Sequence, residues 1–121
     1  MATTRLTTED FIARIFDYRT AKEWDYKGTK PAIIDFYADW CGPCKMVAPI
    51  LEELSDLYKD QIDIYKVDTE TEFELASVFG IQSIPSFLFI PTKGLPSLEP
   101  GAFPKNALIQ IIEEHLLPAS N

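Results

Sequence analysis

The sequence predicts an α/β fold in which a central mixed β-sheet is flanked by helices on both faces. Apolar β-rich runs alternate with amphipathic helical segments, which is the pattern of strands joined by crossover helices. A further β-rich run, a turn and a last helix follow, so the sheet also receives antiparallel strands. We predict one domain over residues 1–121, with an N-terminal helix and connecting segment in 1–30 and the core in 31–117.

The N-terminal part holds one predicted helix. Thr7 or Thr8 can cap it, and it ends near Phe16. Its apolar residues share one face at helical spacing: Phe11, Ile12, Ile15 and Phe16. Residues 17–30 mix aromatic and charged side chains before a glycine and a proline, which is typical of a connecting segment.

The predicted core begins with two strand–helix pairs. Residues 32–38 are apolar on both faces apart from one acid, as in a central strand covered on both sides. Residues 43–58 repeat apolar side chains at the spacing of an amphipathic helix. A strand over 62–68 and a helix over 71–79 follow, and Gly80 is the natural C-terminal cap of that helix.

The C-terminal part is predicted to be a hairpin and a helix. Residues 86–90 form a strand, 91–94 a turn and 95–100 a weaker strand. The last helix starts near Pro104, and Pro118 prevents its extension. Its buried face is expected to consist of Leu108, Ile109, Ile112 and Leu116.

Charge and hydropathy exclude two classes of partner. Eleven basic residues against 19 acidic ones give a net charge of -8, which disfavours nucleic acid. No apolar run approaches the roughly 20 residues that span a bilayer, so we expect no membrane partner. The start of the chain lacks the apolar segment of a secretory signal, and we therefore expect a cytoplasmic protein. A periplasmic location stays open if a signal has been removed.

The two cysteines carry the chemistry. Cys41 and Cys44 lie between a predicted central strand and a helix, where free amides and the helix dipole stabilise a thiolate at the first cysteine. Cys41 is therefore the predicted nucleophile. Gly42 permits a tight turn and Pro43 suits the first helical turn. Cys44 can then attack a mixed disulfide on Cys41 and release the reduced substrate.

Two other uses of the cysteine pair fit the sequence poorly. A structural disulfide closing so short a loop removes little entropy from the unfolded chain. A zinc site wants four ligands, yet there is no third cysteine and His115 lies far along the chain. We therefore predict no metal and no cofactor beyond the redox-active pair Cys41 and Cys44.

Asp35 is a lone acid between Ile34 and Phe36 in a strand that looks buried. Burial should raise the pKa of its carboxyl toward neutrality, where it could accept and donate protons. The alternative is an acid that faces solvent, and the residues alone leave both open.

The chain resembles the thioredoxin family over nearly its whole length. The residues that carry the resemblance are the run Trp40-Cys41-Gly42-Pro43-Cys44-Lys45, with Asp35, Pro49, Lys66, Ile84-Pro85, Gly94 and Gly101-Ala102. The resemblance implies the thioredoxin fold and thiol-disulfide exchange. It also implies that Asp35 lies beneath Cys44 and helps deprotonate it through water, and that the Lys66 amine approaches Asp35. The alternative for Lys66 is an ordinary lysine that reaches water.

The resemblance further implies a cis peptide bond between Ile84 and Pro85, packed beside the cysteine pair. Backbone groups of Ile84 would then bind an extended substrate segment, in the manner of strand addition. The surrounding substrate surface would consist of Trp40, Gly42, Pro43, Gly80, Gly101 and Ala102. For Trp40, ordinary packing is the alternative.

Some residues depart from the family pattern or carry no predicted chemistry. Tyr37 stands where many members have tryptophan, and residues 17–30 are longer than in the minimal pattern. We expect neither to touch the reaction core. His115 is expected to have no chemical role. Three further residues are predicted to belong to the core: Met46, Phe87 and Phe89.

By this resemblance the chain is a reductase of protein disulfides, and we expect it to act as a monomer. Its expected partners are disulfide-containing proteins and a thioredoxin reductase or another upstream reductant. Two alternatives remain: an exported thiol oxidase or isomerase, and a protein-binding subunit whose thiols are incidental. Gly42-Pro43 between the cysteines favours the reductant.

Overall fold

The computed structural model of the chain describes residues 3–117. In chain order its elements are β1 (Thr4–Arg5), α1 (Thr8–Arg14), β2 (Ala32–Tyr37), α2 (Gly42–Leu57), β3 (Asp63–Asp68), α3 (Phe73–Val78), β4 (Ser86–Ile90), β5 (Ser97–Pro100) and α4 (Lys105–Ile111). A π-helical turn, Ile112–Leu116, continues α4.

The strands form one mixed sheet in the order β1-β3-β2-β4-β5. β1, β3 and β2 are parallel, whereas β4 and β5 run antiparallel to their neighbours. β2 is central and all six of its residues are buried. Because β2 and β3 are parallel, the loops that follow them leave the sheet at the same edge, and the loop after β2 leads to Cys41.

Two hydrophobic clusters cover the two faces of the sheet. Leu51 of α2 and Leu108 of α4 pack with Ile33 on one face. Phe11 of α1 and Leu75 of α3 pack on the other face. Apolar helix faces therefore close the sheet from both sides, which confirms the predicted fold class.

The structure also corrects details of the sequence-based prediction. β1 was not predicted, because two exposed residues carry no strand pattern; pairing with β3 defines it. Phe87 and Phe89 are buried as expected, but the prediction for Met46 was wrong because its side chain is 74% exposed. The π-helical turn was not predicted either. Pro118 lies outside the described residues.

Two local features match their sequence signals. Thr7 caps α1 through a reciprocal pair of hydrogen bonds: the Asp10 amide donates to the Thr7 hydroxyl oxygen (3.0 Å), and the Thr7 amide donates to the Asp10 carboxylate (3.2 Å). Gly80, just after α3, has a φ of 60°, the left-handed conformation that favours glycine. Within residues 3–117, no helix has the length and apolarity needed to cross a bilayer.

Candidate active site

The cysteine pair sits at the amino end of α2. Cys41 is the N-cap of this helix in an extended conformation, and its Sγ accepts a hydrogen bond from the Cys44 amide (3.2 Å). Pro43 occupies the first turn, where its missing amide donor costs nothing. The two cysteines form a disulfide with their Cα atoms 5.3 Å apart. The arrangement expected from the motif is therefore present.

Two backbone segments contact Cys41: the end of β2 and the loop that contains Ile84. The Cys41 amide donates to the Ala38 carbonyl (3.1 Å), which ties the start of α2 to the end of β2. Cys41 Sγ lies 3.7 Å from the Ile84 carbonyl oxygen. A disulfide sulfur carries no proton, so this approach is a contact and not a hydrogen bond. It brings the Ile84 backbone to the reacting sulfur.

The loop that carries Ile84 is tied to the end of β5. The Ile84–Pro85 peptide bond is cis, as the resemblance implied. The Gly101 amide donates to the Pro85 carbonyl (2.9 Å). Gly101 has a φ of 121°, a conformation that side-chain-bearing residues rarely adopt. Pro85 is itself buried, so it supports the loop, whereas Gly101 and Ala102 are exposed.

Several residues predicted to bind substrate are open to solvent around Cys41. The Trp40 side chain is 69% exposed, and Gly42 and Pro43 are exposed as well. Ile84 is half-buried against the cysteines. Cys41 itself is buried, so a partner must reach it between these groups. Met46, two residues beyond Cys44, adds an exposed apolar side chain, although it was predicted to belong to the core.

Asp35 is buried on the central strand β2. It is only 1% exposed, and neither carboxyl oxygen has a hydrogen-bond partner within the described residues. Burial raises the pKa of Asp35 to about 7, and the positive charge of Lys66 opposes part of that rise. The expectation that Asp35 is buried is confirmed.

Lys66 is the register partner of Asp35 on the neighbouring strand β3. Its Nζ lies 4.5 Å from the centroid of the Tyr37 ring. Tyr37 in turn packs in one buried cluster with Ala38, Cys41 and Cys44. The expectation that Tyr37 lies away from the reaction core was therefore wrong. The only sequence signal was its spacing of two from Asp35, which puts both on one face of a strand.

Two further observations concern metal-binding side chains and His115. Residues 3–117 contain no group of three or more His, Cys, Asp or Glu side chains placed to hold a metal ion. His115 is exposed on the π-helical turn and lines a groove with Phe89 and Phe103.

Comparisons with known proteins agree with this geometry. The sequence profile of the thioredoxin family matches residues 15–114. The chain is 51% identical over 109 residues to a thioredoxin of Borreliella burgdorferi, covering 90% of this chain and 93% of that protein. It is 41% identical over 86 residues to thioredoxin 1 of a Nostoc species, covering 71% and 80% of the two chains.

A solved structure supports the fold. Chloroplastic thioredoxin z superposes with a TM-score of 0.79 over 94% of each chain, at 22% sequence identity. The family match, the curated relatives and the disulfide at the start of α2 lead to one conclusion. The chain belongs to the thioredoxin family and is a thiol-disulfide oxidoreductase whose redox pair is Cys41 and Cys44.

Proposed function

We propose that the chain reduces disulfide bonds in other proteins, with Cys41 as the nucleophile, Cys44 as the resolving cysteine and Asp35 as the proton acceptor for Cys44. The observation that carries this proposal is the Cys41–Cys44 disulfide at the N-terminus of α2, the helix that follows the buried strand bearing Asp35. Each role follows from the surroundings of the residue concerned.

The first step is attack by Cys41. In the reduced protein its thiolate forms a bond to one sulfur of the substrate disulfide, and the other substrate sulfur leaves as a thiolate that takes up a proton. The Cys44 amide that points at Cys41 Sγ, together with the positive end of the α2 dipole, stabilises the attacking thiolate.

The second step releases the substrate. Cys44 loses its proton to the Asp35 carboxylate, attacks Cys41 Sγ and expels the second substrate sulfur, which is protonated in turn. The products are a reduced substrate dithiol and the Cys41–Cys44 disulfide. A carboxyl with a pKa of about 7 suits this task because it accepts and returns a proton near neutral pH.

Substrate binding would use backbone groups and an apolar surface. Among the described residues, neither the amide nor the carbonyl of Ile84 has a backbone hydrogen-bond partner, so both are free to pair with an extended segment. Trp40 and Pro43 are exposed chain neighbours of the cysteines, and Gly101 is tied by its amide to the Pro85 carbonyl of the loop that carries Ile84. Hydrogen bonds to the substrate backbone do not depend on the substrate's side chains, which suits a reductant that acts on many proteins.

The test is to trap the intermediate. In insulin-disulfide reduction, the wild-type chain should be active and Cys41→Ser should fall to background. Cys44→Ser should accumulate a mixed disulfide through Cys41, visible by mass spectrometry and cleaved by dithiothreitol. A Cys41→Ser chain that still reduces insulin would contradict the assignment. A double serine variant with full biological activity would instead favour the protein-binding alternative.

The direction of the reaction and its partners belong to the same proposal. We propose that an upstream reductant such as a thioredoxin reductase regenerates the dithiol, and that the chain works as a monomer in the cytoplasm. In a reducing compartment such as the cytoplasm, the dithiol form that a reductant needs would be maintained. A redox titration tests the direction, and a potential well above that of thioredoxins would favour an oxidase or isomerase.

A further inference from the structure

Tyr37 and Asp35 share one face of the central strand. They are two residues apart on β2, so both side chains point to the face that α2 covers. Tyr37 is 9% exposed and belongs to one buried cluster with Ala38, Cys41 and Cys44, so its side chain packs beside the redox pair. A side chain so placed can act on the groups used in the resolving step.

The Tyr37 ring also holds a cation. In the strand register, Lys66 pairs with Asp35, and Tyr37 pairs with Asp68. The Lys66 side chain extends along the strand direction, so that its Nζ lies 4.5 Å from the centroid of the Tyr37 ring. Ammonium groups are attracted to aromatic faces at distances up to about 6 Å. Among residues 3–117 Lys66 forms no ion pair within 4.0 Å, so the ring is the contact that holds its ammonium.

Two of the charged groups around Tyr37, Arg5 and Asp68, pair with each other. Arg5 on β1 donates to the Asp68 carboxylate of β3 at 3.1 Å. Burial above all, and then Asp68, Asp39 and Asp35, raise the pKa of Tyr37, while Arg5 opposes the rise. The phenol is therefore uncharged across the neutral pH range, and the attraction for Lys66 comes from the ring face.

We propose that Tyr37 is a positioning residue whose ring holds the Lys66 ammonium where its charge acts on the Asp35 carboxyl, and that it thereby sets the pH range over which Cys44 resolves a mixed disulfide. The proposal rests on the function of Asp35 proposed above. Without the ring, the Lys66 side chain would extend to water, as lysines at strand surfaces do. Asp35 would lose a favourable charge, and its pKa would rise further.

The direct measurement is the pKa of Asp35 from the carboxyl carbon resonance, taken by NMR in the oxidised protein. Lys66→Met should raise this pKa by about one pH unit. Tyr37→Leu should also raise the pKa of Asp35, by a smaller amount. Tyr37→Phe keeps the ring and should leave this pKa unchanged. In the double variant Tyr37→Leu/Lys66→Met, the pKa of Asp35 should equal its value in Lys66→Met alone. An equal effect of Tyr37→Leu with and without Lys66 would overturn the proposal.

A second measurement needs no substitution. Methylene protons of Lys66 that lie over the Tyr37 ring should resonate upfield of those of Lys59 and Lys93, which are exposed. Equivalent shifts for all three lysines would overturn the cation–ring contact even if Tyr37→Leu failed to fold.

The effect of Tyr37 on catalysis is measured in the step in which Cys44 resolves the mixed disulfide. A chromogenic aromatic disulfide releases one coloured thiolate when Cys41 attacks and a second when Cys44 resolves. The midpoint pH of the second release should rise in Tyr37→Leu by the same amount as the NMR pKa of Asp35. An unmoved midpoint would overturn the role of Tyr37 in resolution. Failure of Cys44→Ser to trap a mixed disulfide would instead refute the proposed function itself.

Discussion

Replacing Asp35 by asparagine is expected to stabilise the oxidised protein at alkaline pH and to leave it nearly unchanged in acid. The folded-state pKa of Asp35 is about 7, against 3.8 for an ordinary aspartate. Between these values the folded protein holds a proton that the unfolded chain has lost. The contribution of this carboxyl to stability is therefore greatest below about pH 4, falls as the pH rises to about 7 and is constant above that.

The magnitude follows from the pKa difference. Each pH unit is worth about 1.4 kcal/mol, so ionising Asp35 in its buried site costs the folded state about 4 kcal/mol. Asparagine has nearly the same shape and is never charged. The free energy of unfolding of Asp35→Asn, minus that of the wild type, should therefore increase by about 4 kcal/mol between about pH 4 and about pH 9.

Urea denaturation followed by circular dichroism across this pH range measures the difference. The oxidised form must be used, so that neither cysteine titrates. Asp60→Asn is the matched control, because Asp60 is exposed and its removal changes the net charge by the same amount. If the difference between Asp35→Asn and wild type were the same at every pH, the reasoning about desolvation would be wrong.

Two further predictions concern the surface and the core. Trp40→Ala should slow the reduction of protein disulfides about tenfold, with little effect on a small aromatic disulfide or on stability, because Trp40 is exposed beside Cys41. Equal losses for both substrates would count against a docking role. Leu51→Ala should lower the free energy of unfolding by about 3 kcal/mol, since Leu51 is fully buried between α2 and the sheet. Leu57→Ala on the same helix, where the side chain is exposed, is its control and should have little effect.

The elements that the sequence predicted well are those whose pattern is local. β4 begins and ends as expected, and β2 and β3 differ from the prediction by one residue. β1 was missed because its two residues are exposed and become a strand only through pairing with Tyr65 and Lys66. Met46 was misassigned because it lies on the side of α2 that faces away from the buried residues Val47 and Leu51.

The sequence by itself determined the redox chemistry. The two-residue spacing of Cys41 and Cys44, with glycine and proline between them and a helix after them, specifies a reactive disulfide, because these contacts lie within one turn. The isolation of Asp35 in an apolar strand suggested burial but left a solvent-facing acid open, and the fold decided between the two.

Tertiary structure decided how the chemistry is tuned. The register of β2 and β3 pairs Lys66 with Asp35, and the fold packs Tyr37 against both the lysine and the cysteine cluster. Strand register and helix packing join residues far apart in the chain, and no local spacing encodes them. The electrostatic environment of the acid is therefore a property of the folded protein.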